Sequence, residues 1–148
     1  TGQADGTSLE LNLNHPVKEL IWIGVPDTGL GKSTPLRWVD NPQAVNLQLK
    51  LNGHDRFEKR NGLYFTRCQV WQHHTGFGGV TEKDSIGVYS FALKPEEHQP
   101  SGTCNFSRID DARLDISGGT LNKALIIYAV NYNVLRIMSG MGGLAYSN

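Results

Sequence analysis

Ser8-Leu-Glu-Leu-Asn-Leu-Asn14 alternates without a break, with Leu9, Leu11 and Leu13 on one side of the chain and Glu10, Asn12 and Asn14 on the other. Successive side chains of an extended strand point to opposite faces, so this pattern makes a strand that buries one face and wets the other. Val45-Asn-Leu-Gln-Leu-Lys-Leu51 repeats it, and Asn52-Gly53 directly after supplies a dipeptide that closes tight hairpins. One-sided strands need a second layer over their apolar face, which points to an all-β fold of packed sheets.

Outward from these two stretches the same reading continues. His15-Pro16 interrupts the first run, because proline has no amide hydrogen for a ladder, and Val17–Val25 resumes as a more continuously apolar strand containing Trp22. Pro26–Pro42 is rich in Gly and Pro and reads as a long surface excursion. Tyr64, Phe65, Cys68 and Trp71 fall at helical spacing, which predicts one short helix over Gly62–His73. Further strands are predicted at Gly87–Leu93, Thr103–Arg108, Ala112–Ser117, Lys123–Tyr132 and Val134–Met138, with Leu144–Tyr146 closing the chain. Turns are expected at His15, Pro16, Gly53, Pro95, Pro100, Gly102, Gly140, Gly142 and Gly143, where proline fixes the backbone or glycine permits conformations closed to other residues.

That makes about eight strands with uneven connections. Long crossovers suit a Greek-key sandwich better than an up-and-down barrel, and the eight-stranded jelly roll is its commonest large form. The proposed core is Leu9, Leu11, Leu13, Trp22, Leu47, Leu49, Phe91, Leu93, Leu114, Ile127 and Leu135. A chain of 148 residues suits a single domain spanning 1–148.

Charge narrows the functions. Fourteen basic residues balance fourteen acidic ones, so nothing draws the chain broadly to nucleic acid or anionic lipid. The apolar runs Leu20–Ile23 and Ala124–Val130 are far shorter than the roughly 20 residues of a membrane-spanning helix. Cys68 and Cys104 are too few for a disulfide framework and are expected to be reduced thiols of an intracellular compartment. Thr1–Thr7 lacks the basic and apolar regions of a signal peptide, and a first residue other than Met leaves room for preceding sequence in a parent protein.

The motifs that suggest chemistry fail on their requirements. Gly29-Leu-Gly-Lys-Ser-Thr34 follows a strand as a phosphate-binding loop does, but Pro26 stands where the first glycine belongs and Pro35 interrupts the helix. His73 and His74 with Cys68 offer too few ligands for a structural metal site, and His15, His54 and His98 sit beside turn signals. Asp110-Asp111 and Glu96-Glu97 read as solvated neighbours, and no nucleophile elbow is present. No catalytic residue, cofactor or metal is therefore expected. Asn105-Phe-Ser107 is an N-glycosylation sequon, placed in a predicted strand. Arg108, Asp110, Asp111 and Arg113 are candidates for ion pairs, within the chain or across a subunit boundary.

Tyr89-Ser-Phe-Ala-Leu-Lys-Pro-Glu-Glu-His-Gln-Pro-Ser-Gly-Thr-Cys-Asn-Phe-Ser-Arg-Ile-Asp110 resembles the carboxyl-terminal jelly roll of the major capsid proteins of nucleocytoplasmic large DNA viruses. Asn131-Tyr-Asn-Val-Leu-Arg-Ile-Met-Ser-Gly-Met-Gly-Gly-Leu-Ala-Tyr-Ser-Asn148 is similar to the family's carboxyl terminus. Asn14–Trp22 and Leu51–Phe57 agree in order, while Pro26–Ala44 and Thr75–Ser85 do not match. The resemblance implies one half of a double jelly roll, three copies of which form a pseudo-hexagonal capsomer in an icosahedral shell around an internal membrane. The implied partners are two further copies of the same protein, neighbouring capsomers and minor capsid proteins. Neither nucleic acid contact nor membrane insertion is implied. The implied location is the virion capsid, assembled inside the host cell. The first jelly roll of that family pattern has no counterpart in this sequence.

The rival reading is a carbohydrate-binding, lectin-like jelly roll, which needs an exposed aromatic platform such as Trp38 or Trp71, although Trp71 fits the apolar helix face better. An enzyme on a cupin-type scaffold would need clustered His and carboxylate ligands.

Overall fold

The computed structural model describes residues 7–24, 38–39, 41–76, 86–119 and 125–146. Two antiparallel sheets enclose the core. In the first, β8 (Ala112–Ser117) lies between β1 (Thr7–Glu10) and β3 (Asn46–Leu51), with Leu114 opposite both Leu9 and Leu49. The short β4 (His54–Asp55) and β5 (Arg60–Asn61) return against the two ends of β3. Asn52 and Gly53 take left-handed backbone angles of 51° and 78° between β3 and β4, as the two-residue turn that matches strand twist requires.

In the second sheet β2 (Pro16–Gly24) is central. β9 (Leu125–Asn131) pairs along one side, and β6 (Gly87–Ser90) and then β7 (Cys104–Asn105) share the other. The register of β2 against β9 shifts between Val17 and Glu19, so Lys18 is an extra residue in the ladder. A bulge of this kind inverts the facing of everything beyond it. Val17, Leu20 and Trp22 consequently all reach the core despite their odd spacing, and Glu19 is buried on the other face.

The two layers meet through Trp22, Trp38, Val45, Leu47, Leu49 and Phe65, all at most 1% exposed. Trp22 stacks edge-on to Trp38 and lies 5.4 Å from Phe65, giving the centre of the sandwich its aromatic bulk. This is the jelly-roll arrangement expected from the alternating strands.

Several expectations need correction. Leu93 is 75% exposed, because the Gly87–Leu93 run pairs only as far as Ser90. The Ser90 hydroxyl donates to the Ala92 carbonyl and accepts from its amide, turning the chain out of the ladder. Leu135 is 64% exposed, because among the described residues β10 (Leu135–Met138) pairs only with β11 (Met141–Leu144). Gly142 and Gly143, expected as bends, lie inside β11, and the reversal is made by Ser139 and Gly140 with left-handed angles of 51° and 78°. The predicted Thr103–Arg108 strand pairs only at Cys104–Asn105. Phe106–Arg108 then coils into a 3-10 turn, because the Asn105 side-chain oxygen accepts from the Ser107 amide.

The helix begins as a π-turn, Tyr64–Cys68, before α1 (Gln69–His73). The wider turn shifts the side-chain phase, so Phe65, Thr66 and Gln69 face inward while Trp71, expected on the apolar face, is 72% exposed. The phosphate-loop-like stretch 29–34 lies outside the described residues.

Gly87 pairs with Trp22, and a Cβ there would stand 2.2 Å from the indole ring. Gly87→Ala should therefore cost about 1–3 kcal/mol, as overpacked cores do, read as a lower midpoint in chemical denaturation.

Candidate assembly surface

Most of the turn residues expected from the sequence sit around two ordered loops. His15 is buried and left-handed, with a φ of 67°. Its amide donates to the Ser107 hydroxyl at 2.8 Å and its carbonyl accepts from the Phe106 amide at 3.1 Å, tying the start of β2 to the 3-10 turn. Pro16 opens β2, and its carbonyl accepts from the Tyr132 amide. Asn105 is exposed, but both polar ends of its sequon carry internal hydrogen bonds: its own oxygen caps the turn, and Ser107 receives His15. His15, Asn105, Tyr132, Asn133 and Tyr146 line a groove of about 720 Å³ beneath the stem of the β10–β11 hairpin.

The second loop is the crossing from Leu93 to Gly102. Pro95 is fully buried and Pro100 exposed. Gly102 has a φ of 144°, and a Cβ on it would meet the Phe91 carbonyl oxygen at 2.6 Å, so glycine is required there on two counts. The loop closes on itself through the Lys94 amide to the Ser101 hydroxyl at 2.9 Å.

The histidines dismissed as metal ligands fasten this loop instead. His74 Nε2 lies 2.9 Å from Glu19 Oε2 on β2, and its Nδ1 lies 3.0 Å from Glu96 Oε1 in the loop. His73 Nδ1 is 3.1 Å from the Leu93 carbonyl oxygen. The Thr75 amide and hydroxyl both donate to Glu96, holding its carboxyl below the usual glutamate range. One residue after the helix thus joins the sheet, the helix end and the loop. Local sequence gives no sign of this, since Glu19 and His74 are 55 positions apart.

On the first sheet, Asp115 accepts from Ser8 and from Lys50 at 2.8 Å. Burial would raise its carboxyl, but these two bonds outweigh it and hold the group low. Arg113 pairs with Asp111 within the chain at 2.7 Å, and Asn52 Oδ1 accepts from the amides of both Asp110 and Asp111. Cys68 and Cys104 are free thiols, the first exposed, and among the described residues no three His, Cys, Asp or Glu side chains converge as a metal site would need. Trp38 is fully buried, which removes it from any sugar-stacking platform. The arrangement positions loops and presents surface.

The chain matches the family described as large eukaryotic DNA virus major capsid protein over residues 2–143. It is 46% identical over 169 residues to the major capsid protein of Pyramimonas orientalis virus, covering 100% of this chain and 41% of that one. It is 60% identical over 117 residues to that of Phaeocystis pouchetii virus, covering 75% of this chain and 22% of the relative. Among solved structures, the PBCV-1 virus capsid superposes with a TM-score of 0.74 at 38% identity, over 97% of this chain and 46% of that one. A Faustovirus major capsid protein, at 11% identity and a TM-score of 0.57, shares the fold. The chain spans less than half the length of these relatives.

Because the Glu96 carboxyl is held low, its contribution is present above the ordinary value of 4.5 and is lost as pH falls through and below it. Thermal melts from about pH 6 to about pH 3 should show Glu96→Gln less stable than the parent at the upper end, with the gap closing toward the lower.

Proposed function

The chain belongs to the large eukaryotic DNA virus major capsid protein family, and from that premise we propose that it is one jelly roll of a longer shell-building protein, three copies of which form a pseudo-hexagonal capsomer. The observation that carries this reading is the superposition of nearly the whole chain on less than half of a virus capsid protein, the proportion expected of one half of a double jelly roll.

The physical character of the domain supports the role. A shell subunit needs a stiff body and loops held in one shape, so that repeated contacts match from copy to copy. Here the body is an aromatic-centred sandwich, and the loops are fixed by internal hydrogen bonds such as those of His15, Asn52 and His74. Zero net charge leaves no general repulsion between close-packed copies. Neighbouring capsomers and minor capsid proteins are the further partners in this reading, and the role is structural rather than catalytic. The virion shell, assembled inside the host cell, is its place.

Light scattering after size exclusion tests the proposal on this chain and on a chain extended to the relatives' full length. A trimer formed by the extended chain is the expected result. A monomer in both cases would overturn it.

A further inference from the structure

His74 stands between two carboxylates from separate parts of the chain. Its Nε2 lies 2.9 Å from Glu19 Oε2 on β2, and its Nδ1 lies 3.0 Å from Glu96 Oε1 in the 93–102 loop. A carboxylate oxygen and a bare imidazole nitrogen are both acceptors, so each of these contacts needs a proton within it. A neutral imidazole brings only one. The closed arrangement therefore holds one proton more than a neutral ring and two carboxylates, whether the ring carries both protons or Glu19 carries the second.

The two contacts are not equivalent. Glu96 is exposed and also accepts from the Thr75 amide and hydroxyl, at 2.9 and 3.2 Å. Glu19 is 6% exposed, and among the described residues no other donor reaches its carboxylate. A buried carboxylate without a donor is far more costly than an exposed one. When the extra proton leaves, the one that remains is kept between Nε2 and Glu19, and Nδ1 is left as an acceptor facing Glu96. The link that opens is the one between the sheet and the loop.

The surrounding ionisable groups are engaged elsewhere. Lys94 pairs with Glu97 at 3.2 Å, and Lys18 lies over the Tyr132 ring. Tyr89, the ionisable residue of β6, is packed in the core. His73 Nδ1 faces a carbonyl oxygen, which a neutral ring satisfies by donating. His98, the loop's own imidazole, is exposed and makes no hydrogen bond among the described residues.

We propose that Glu19, His74 and Glu96 form a proton-dependent latch that seats the 93–102 loop against β2 and lets it go as pH rises. The closed form binds one proton more than the open form, so falling pH favours it and rising pH opens it, until at the acid end Glu96 itself takes up a proton. Imidazole is the side chain that ordinarily exchanges its proton between about pH 5 and 8. Residues 96–100 are exposed, so opening the latch alters the surface that the domain presents. The latch is a property of this domain alone and does not depend on the capsid reading.

The test is hydrogen exchange at the Thr75, Lys94 and Glu97 amides of the 148-residue chain, each rate referred to an unfolded chain at the same pH, alongside an NMR titration of the His74 ring nitrogens. Between about pH 6 and about pH 8.5 the protection should fall about fivefold or more, with the midpoint of the His74 titration, and the ring above that midpoint should be the Nε2–H tautomer. In Glu19→Gln the carboxamide donates to Nε2 and leaves a neutral ring's single proton for Glu96, so protection should persist over the whole range. His74→Ala should show the low protection throughout, and His98→Ala should follow the parent. Protection in the parent that does not change with pH overturns the latch. So does a Glu19→Gln chain that loses protection as the parent does, an Nδ1–H tautomer at the upper end, or a pH dependence that disappears with His98. Should Glu19→Gln fail to fold, His74→Ala decides: a pH dependence that survives without the imidazole overturns the proposal, and its loss upholds it.

Discussion

The single extra residue in β2 governs the arrangement of everything around it. Lys18 bulges out of the ladder, and its carbonyl accepts from the amides of both Phe91 and Ala92, so the irregularity is held from the neighbouring chain. Before the bulge Val17 faces the core; after it Leu20 and Trp22 do, and Glu19 is directed to the opposite face. Without that inversion Trp22 could not meet Trp38 and Phe65, and Glu19 could not meet His74. The aromatic centre and the fastening of the 93–102 loop therefore depend on the same local feature, one on each side of the sheet.

The fastening is economical in material. The helix that covers β6 is short, and its own backbone is distorted by the π-turn, yet Gln69 donates to Tyr64 and accepts from the Ser90 amide while the next turn delivers His73 and His74 to the loop. Gln69, Glu19 and His74, which would weigh against burial, are each given partners, which is the condition under which they fix a single conformation rather than destabilise it.

What was legible in the sequence follows from how far each signal extends. β3 and β8 alternate because each wets one face, and their placement could be read directly; the alternation of the first run continues to Asn14, although β1 pairs with β8 only as far as Glu10. β2 could be recognised as a strand, but the facing of its residues is set by a bulge that distant amides hold. Trp71 was assigned to the apolar helix face on ideal helical spacing, which the π-turn breaks. Leu93 looked like the end of a strand until the Ser90 hydroxyl turned the chain. Glycine commonly marks a bend, and Gly140 does, but Gly142 and Gly143 lie inside β11, and the other half of the reversal falls to Ser139, which has no sequence signal of its own. The clasp around His74 joins residues too far apart for any local pattern to connect. The family resemblance, by contrast, rested on long matched stretches and was recoverable from residues alone.

The pairing of β1 with β8 also has a meaning in time. Ser8 and Asp115, hydrogen-bonded across that ladder, are 107 positions apart, and β2 waits on β9 over a similar span. β4 and β5 turn back onto β3 from neighbouring sequence, whereas the long ladders of both sheets wait until two distant strands have been synthesised, and such non-local pairing is slow for entropic reasons. During that interval the alternating strands are exposed edges at high local concentration. An alternating strand that waits for a distant partner is an open edge, so what endangers such a sheet is the length of that wait rather than the stability of the finished ladder.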